Sequence, residues 1–236
     1  SNQFLLHGFE TTQVRDSTLD GTNNGATTVA TGKIGNAWDF DGVDDGVTTS
    51  WNTGFDNGSP FSVSMWINPD VANSGAIVFD RDVSGGDGWE TRFTGQDVQV
   101  NFEQGSNYLA CDTTAISLNT WSHVVMVYDG TAGDFDCNAI TFYVDGTSVA
   151  VNFAANVGTM GSWDTSATFG LGDWYTAEYD GGLDEVAVYN TELSSSEVSA
   201  LYNSGSGDST PDTNGLVAHY DFEQTGTTLE NQALTV

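Results

Sequence analysis

The chain has 236 residues, with 4 Lys+Arg against 33 Asp+Glu and a formal net charge of −29. Binding to nucleic acid or an anionic membrane is excluded, because phosphate recognition needs clustered cations and Arg15, Lys33, Arg81 and Arg92 are scattered along the sequence. Aromatic residues at 12% argue against disorder, and the length suits one large β-sandwich or one domain with an appendage. No stretch approaches the roughly 20 apolar residues of a membrane helix, so no membrane insertion is expected; the longest apolar run is Val124 to Tyr128.

In chain order, the first strong strand signal is Phe61, Val63, Met65 and Ile67 alternating with Ser62, Ser64, Trp66 and Asn68, which predicts a strand with one aliphatic face. Trp121 to Tyr128 is almost continuously apolar and reads as a central strand. Ile140, Phe142 and Val144 alternate up to Asp145-Gly146, a pair that accepts the positive φ angles of a tight hairpin, and Val149 and Val151 resume after it. Leu183 to Tyr189 gives another strand. The one helix signal is late: Ser194 and Glu197 form a capping box, Val198, Leu201 and Tyr202 an apolar stripe, and Gly205 a stop. Many short strands with one small helix predict an all-β, two-sheet antiparallel sandwich.

Residues 206–214 read as a Ser/Gly/Asp/Thr linker after a domain spanning 1–205. The segment 215–236 then echoes the chain's beginning. Gly215 to Glu223 (GLVAHYDFE) aligns with Phe4 to Glu10 (FLLHGFE), placing Phe222-Glu223 on Phe9-Glu10, Ala218 on Leu5 and Tyr220 on His7, while Leu229-Glu230-Asn231 echoes Leu19-Asp20-Gly21. The tail thus reads as the opening strand of a second repeat. A lone strand must dock, either on its own domain or by adding Leu216, Ala218, Tyr220 and Phe222 to a neighbour's sheet edge. The second course would make a homo-oligomer or filament.

Two cysteines, Cys111 and Cys137, sit in polar, turn-rich surroundings and are read as a disulfide, the alternative being two unpaired thiols. The chain begins at Ser1 without Met or an apolar leader, which suggests a mature form of a secreted or cell-surface protein. Asn57-Gly58-Ser59 is a glycosylation acceptor pattern weakened by the following Pro60. Most of the acidic residues fit a solvated surface in salty or divalent-rich water; a few in Asp- and Gly-rich loops suit calcium, a hard cation that takes oxygen ligands. Asp39, Asp41, Asp44 and Asp45 around Gly42 and Gly46 form such a loop, without EF-hand spacing.

Phe9-Glu10, Gly35 to Asp45 (GNAWDFDGVDD), Phe61 to Pro69 (FSVSMWINP), Trp121 to Val125 (WSHVV), Phe142 to Gly146 (FYVDG) and Gly182 to Asn190 (GLDEVAVYN) follow one another in family order. As a set they resemble the laminin-G-like, concanavalin A-like lectin/glucanase jelly-roll superfamily. The resemblance implies two curved antiparallel sheets, a structural calcium ion near the sheet rim, and a non-catalytic role in adhesion through a glycan or protein ligand, the last by analogy of fold. It points to Asp184 and Glu10 as calcium ligands, with the Asp41-Gly42 loop supplying a carbonyl and Asp44 and Asp45 beside it. Related glucan hydrolases carry alternating carboxylates on one strand. Here Glu178-Tyr179-Asp180-Gly181-Gly182-Leu183 ends on leucine, so the paired carboxylates of glycoside hydrolysis are not supplied. His7, His123 and His219 show no nucleophile or metal spacing, and no enzyme is expected. For the ligand, an aromatic face beside polar groups can stack on a sugar ring, and Trp174, Tyr175, Tyr179 and Trp89 are the candidates, whereas Trp66 and Trp121 read as strand packing.

Overall fold

A computed structural model describes residues 14–29, 31–56, 58–72, 75–82, 86–130, 137–158, 167–174 and 177–235. In chain order the strands are β1 (Val14–Arg15), β2 (Gly21–Asn24), β3 (Thr27–Val29), β4 (Ala37–Asp41), β5 (Gly46–Thr48), β6 (Phe61–Pro69) and β7 (Ala76–Arg81). Next come β8 (Gly88–Thr94), β9 (Asp97–Gln104), β10 (Asn107–Asp112), β11 (Ser122–Tyr128), β12 (Ile140–Val144) and β13 (Thr147–Val149). They are followed by β14 (Asn152–Val157), β15 (Thr168–Leu171), β16 (Asp173–Trp174), β17 (Ala177–Glu178) and β18 (Asp180–Tyr189). Helix α1 (Ser195–Tyr202) precedes β19 (Leu216–Tyr220), β20 (Thr228–Leu229) and β21 (Leu234–Thr235).

Two antiparallel sheets make the sandwich. The larger has the order β14-β10-β9-β8-β7-β15-β5-β2-β20, and the smaller β13-β12-β11-β6-β18-β4-β3 with β19 also on β18. Period-two alternation decides what lies between them. On β6 the buried Phe61, Val63, Met65 and Ile67 join the central core, as the sequence predicts, together with Trp38, Phe40, Val100, Phe102, Met126 and Phe142. The continuous apolar run of β11 has a different cause on each face: Val124, Met126 and Tyr128 enter the core, while Val125 and Val127 meet Ala187, Tyr189, Val198 and Leu201 beneath α1. The helix therefore roofs the outside of the smaller sheet. Its capping box is formed, with Glu197 N donating to Ser194 Oγ (3.3 Å) and Ser194 N to Glu197 Oε2 (2.7 Å). The stop comes earlier than Gly205: Asn203, at φ 46°, adopts the left-handed conformation that ends the helix. The β12–β13 hairpin turns on Asp145 (φ 49°) and Gly146 (φ 73°), and Asp145 Oδ1 accepts from His123 N at 3.0 Å.

Residues 206–214 do more than link. Gly207 and Pro211 are buried, Gly207 lies against Ile34 and Trp66, and its carbonyl accepts from Asn203 Nδ2 at 2.9 Å. The tail docks on its own chain. β19 pairs with Val186–Tyr189 of β18, along the edge that β4 occupies at Asp180–Leu183. Ala218, Tyr220 and Phe222 are fully buried. The expected strand addition of Leu216, Ala218, Tyr220 and Phe222 is thus made within the chain here, because β18 offers unpaired backbone beyond the end of β4. Cys111 and Cys137 are joined as a disulfide that ties β10 to the approach to β12. Asn57 lies outside the described residues.

Candidate functional site

The most developed polar surface lies on the outside of the larger sheet. Val98, Val100 and Phe102 of β9 face the core, so Gln99, Asn101 and Glu103 face outward; on β8, Trp89 and Phe93 go inward and Glu90 and Arg92 outward. The strand register stacks these residues in rows across the sheet. Arg92 pairs with Gln99 and Gln99 with Asp112; Glu90 pairs with Asn101 and Asn101 with Ala110; Glu103 pairs with Tyr108. Small side chains, Ala110 and its partner Ala155, leave room above the sheet. A cavity of about 440 Å³ opens there, lined by Arg92, Gln99, Asn101, Glu103, Asn107 and Tyr108 among others.

Two of the chain's four Lys+Arg residues converge at this place. Arg81 Nη1 lies 3.0 Å from Glu90 Oε2, Arg81 Nη2 also pairs with Glu103, and Arg92 Nη1 is 3.6 Å from Glu90 Oε1. Asn101 Nδ2 donates to Glu90 Oε1 at 2.9 Å, and Gln99 Nε2 to Asp112 Oδ1 at 2.5 Å. Arg81 and Glu90 are only 2% and 1% exposed. Buried ion pairs are weak contributors to net stability because desolvation opposes attraction. Their value here is a fixed array of donors and acceptors. Asn101 Oδ1 and Arg92 Nε find no hydrogen-bond partner among the described residues, and Tyr108 stands 38% exposed beside them. An exposed ring next to oriented polar groups can hold a hydroxylated ring.

The residues expected to bind ligand fall elsewhere. Trp89 packs in the core against Phe61, with ring centroids 5.0 Å apart, and Tyr179 against Phe40 at 6.3 Å; neither offers a face to solvent. These two expectations are corrected by strand alternation on β8 and by the Tyr179 hydroxyl, which donates to the Gly182 carbonyl at 3.1 Å inside the sandwich. Trp174 stands on β16, paired with Ala177 of β17. Tyr175 and the side chain of Trp174 lie outside the described residues. The groove was missed because polar residues on alternate positions of β8 and β9 read as an ordinary solvated face. The available signal was the repeat Glu90-x-Arg92 and Gln99-x-Asn101-x-Glu103 flanking one tight turn, together with two of the rare cations.

The expected calcium ligands separate into two places. Asp41, Asp44 and Asp45 come together in the β4–β5 turn, with carboxylate oxygens within 4.8 Å of one another. Asp45 Oδ2 accepts from Asp41 N at 3.0 Å, and Gly42, at φ 69°, lets Asp180 pack against the turn. Burial and then the neighbouring carboxylates raise the pKa values of Asp39 and Asp180, with Asp70 the foremost neighbour for each. Asp173 at the start of β16 is raised too, by burial, then by Glu178 and Asp44. Asp184 is elsewhere: Asp41 pairs with Asp180, and Asp184 stands four residues further along β18, opposite Trp66. Four residues of strand span about 13 Å, too far for one ion. Asp184 is fully buried on the smaller sheet, its Oδ2 accepting from Ile34 N at 2.9 Å and its Oδ1 unpartnered among the described residues. Desolvation pushes its pKa up to about 8. Glu10 lies outside the described residues. Glu223, which aligns with it, accepts from Asn36 N at 3.0 Å.

Among the histidines, His123 Nε2 is 2.9 Å from Ser64 Oγ and burial lowers its pKa to about 3, so it is neutral. His219 Nε2 lies 2.6 Å from Glu185 Oε2, both buried. Trp66 is covered by Tyr202, with centroids 5.8 Å apart, and by Lys33, whose Nζ is 4.1 Å from the ring centroid. These groups serve the packing of the roofed sheet.

Comparison with solved structures finds the same architecture at low sequence identity. Domain 4 of AbnA, a GH43 extracellular arabinanase from Geobacillus stearothermophilus solved in complex with arabinotriose, is 19% identical with a TM-score of 0.56, over 80% of this chain and 87% of that one. The native heptameric SAP-like pentraxin from Limulus polyphemus is 15% identical with a TM-score of 0.55, over 94% and 96% of the respective chains. The botulinum neurotoxin serotype C1 binding domain is 12% identical with a TM-score of 0.56, covering 78% of this chain and 47% of that chain. At such identity the likeness concerns the fold. No curated protein sequence matches the chain. A family model described as the concanavalin A-like lectin/glucanases superfamily matches residues 41–199, two thirds of the chain, and with the two-sheet jelly roll in place the protein belongs to that superfamily.

Proposed function

We propose that the protein is a non-catalytic carbohydrate-binding module, secreted or displayed at a cell surface, that holds a neutral glycan in the groove over β8, β9 and β10. The observation that carries the reading is the juxtaposition of Tyr108 with Arg92, Asn101 and Glu103 around the 440 Å³ cavity. Charge supports a neutral ligand: the two arginines of the groove are matched by Glu90 and Glu103, and the net charge of −29 repels a polyanion. A non-catalytic role is supported by the engagement of both groove glutamates with Arg81. The disulfide favours an oxidising compartment, and among the described residues no helix is long and apolar enough to cross a membrane.

Calcium fits the turn of Asp41, Asp44 and Asp45, whose oxygens converge as a hard cation requires. Its role would be structural, neutralising Asp45, whose pKa burial and then the Asp41 and Asp44 carboxylates raise, and stiffening the end of the sandwich. A glycan array followed by calorimetry tests the groove, with arabino-oligosaccharides included because one similar domain was solved with arabinotriose. Tyr108→Ala and Asn101→Ala are each expected to weaken binding about tenfold, the equivalent of roughly 1.4 kcal/mol. Glu192→Ala, on the exposed approach to α1, leaves it unchanged. Full affinity in both groove variants would remove the groove from the binding site.

A further inference from the structure

The slot beside β18 is filled by a strand that residues 4–10 echo, with Phe-Glu identical at its end. β19 and the residues after it fit through a short pattern: Ala218, Tyr220 and Phe222 point inward and are fully buried, and Glu223 follows. Phe222 meets Trp38 edge-on, with centroids 5.7 Å apart and planes at 77°. Glu223 accepts from Asn36 N at 3.0 Å and from Asn36 Nδ2 at 3.2 Å, holding the loop before β4. Leu5, His7, Phe9 and Glu10 stand at the corresponding positions of the amino-terminal echo. A one-residue slip would turn every such side chain to the other face, and the sequence of residues 4–10 keeps the spacing, with Phe9-Glu10 identical to Phe222-Glu223 and Leu5 and His7 standing for Ala218 and Tyr220.

We infer that residues 4–10 of the chain are an alternative occupant of the slot beside β18, able to displace the tail strand and release residues 215–236. Reach permits it. Tyr220 Oη donates to the Leu19 carbonyl at 2.8 Å, so Leu19 flanks the slot. Release of the tail also frees β1 from β21, and the nine steps from Glu10 to Leu19 then span up to about 30 Å, more than the roughly 20 Å of a six-residue strand. The tail is the better occupant in one respect. Tyr220 stacks on Phe169, with centroids 5.9 Å apart, and makes that hydrogen bond to Leu19; a histidine in its place is too short to repeat the bond. The resident strand therefore holds the slot, and the second claimant takes it when the first is weakened. A displaced tail exposes an unpaired strand of the same pattern, which is a donor for the equivalent slot of another copy.

Hydrogen exchange on the full-length chain tests the inference, with Phe222→Asp, Phe9→Asp and the double variant beside the wild type. In Phe222→Asp, amides of residues 216–220 are expected to lose protection and those of residues 5–9 to gain it, by tenfold or more in exchange rate, with a cooperative melt retained at lower temperature. Phe9→Asp leaves β19 protected. The double variant loses far more than the two single losses added, because neither strand can fill the slot. If Phe222→Asp is as damaged as the double variant, including failure to fold, or if residues 5–9 gain no protection in it, residues 4–10 are not a second occupant and the inference is wrong.

Discussion

Replacing Arg81 by methionine probes the charged cluster beneath the groove. The guanidinium of Arg81 faces Glu90 at 3.0 Å, also engages Glu103, and donates to the Gly86 carbonyl at 2.9 Å. Methionine keeps the unbranched stem but removes every donor, leaving the carboxylate of Glu90, 1% exposed, without its main counter-charge. Removing one partner of a buried pair costs about 3–5 kcal/mol. For a domain of this size each kcal/mol moves the melting temperature by roughly 2–4 °C, so Arg81→Met should melt about 6–20 °C lower. Adding Glu90→Leu should recover most of that, since the stranded charge is gone as well. Calorimetric melts of the wild type, the single variant and the double variant measure both effects. A loss under about 1 kcal/mol, or a double variant no more stable than the single one, would refute the assignment of Arg81 as the partner that makes the burial of Glu90 tolerable.

Calcium at one hundred times its dissociation constant should stabilise the fold by about 2.7 kcal/mol, a rise of several degrees abolished by Asp44→Ala; melts unaffected by calcium or chelator would exclude the Asp41, Asp44 and Asp45 turn. Asp184, with its folded pKa raised to about 8, binds a proton in the folded chain that the unfolded chain has released, so its contribution to stability declines as pH rises from about 4 to 8. Asp184→Asn should flatten the stability profile across that window, as read by urea denaturation at several pH values; an unchanged slope would place the pH dependence elsewhere.

Local chemistry was legible in the sequence wherever one element suffices to express it. The alternation of Phe61 to Asn68, the Asp145-Gly146 turn and the Ser194/Glu197 box each encode their own geometry within a few residues, and all three appear in the fold. The groove is different, because it needs the register of three strands: nothing local says that Glu90 will lie beside Asn101 and that Ala110 will leave a gap next to it. Trp89 shows the opposite lapse. Its spacing of four from Phe93 already placed both on one face of β8, and that face is the core. The calcium expectation joined Asp184 to Asp41 through the resemblance, whereas the pairing of Asp41 with Asp180 sets them apart along β18. Even the tail was readable as a strand from its echo, but its destination depended on an open length of edge that only the assembled sheet displays.

β18 lies between strands from distant parts of the chain, β6 on one edge and β4 with β19 on the other. During synthesis, β4 and β6 leave the ribosome well over a hundred residues before the strand that joins them. Until residues 180–189 emerge, the smaller sheet has no keystone, and the nascent chain carries two unsatisfied, aggregation-prone borders. Loops to be closed over such separations slow productive folding. Any truncation ending before β18 should therefore yield a sticky fragment instead of a smaller working module.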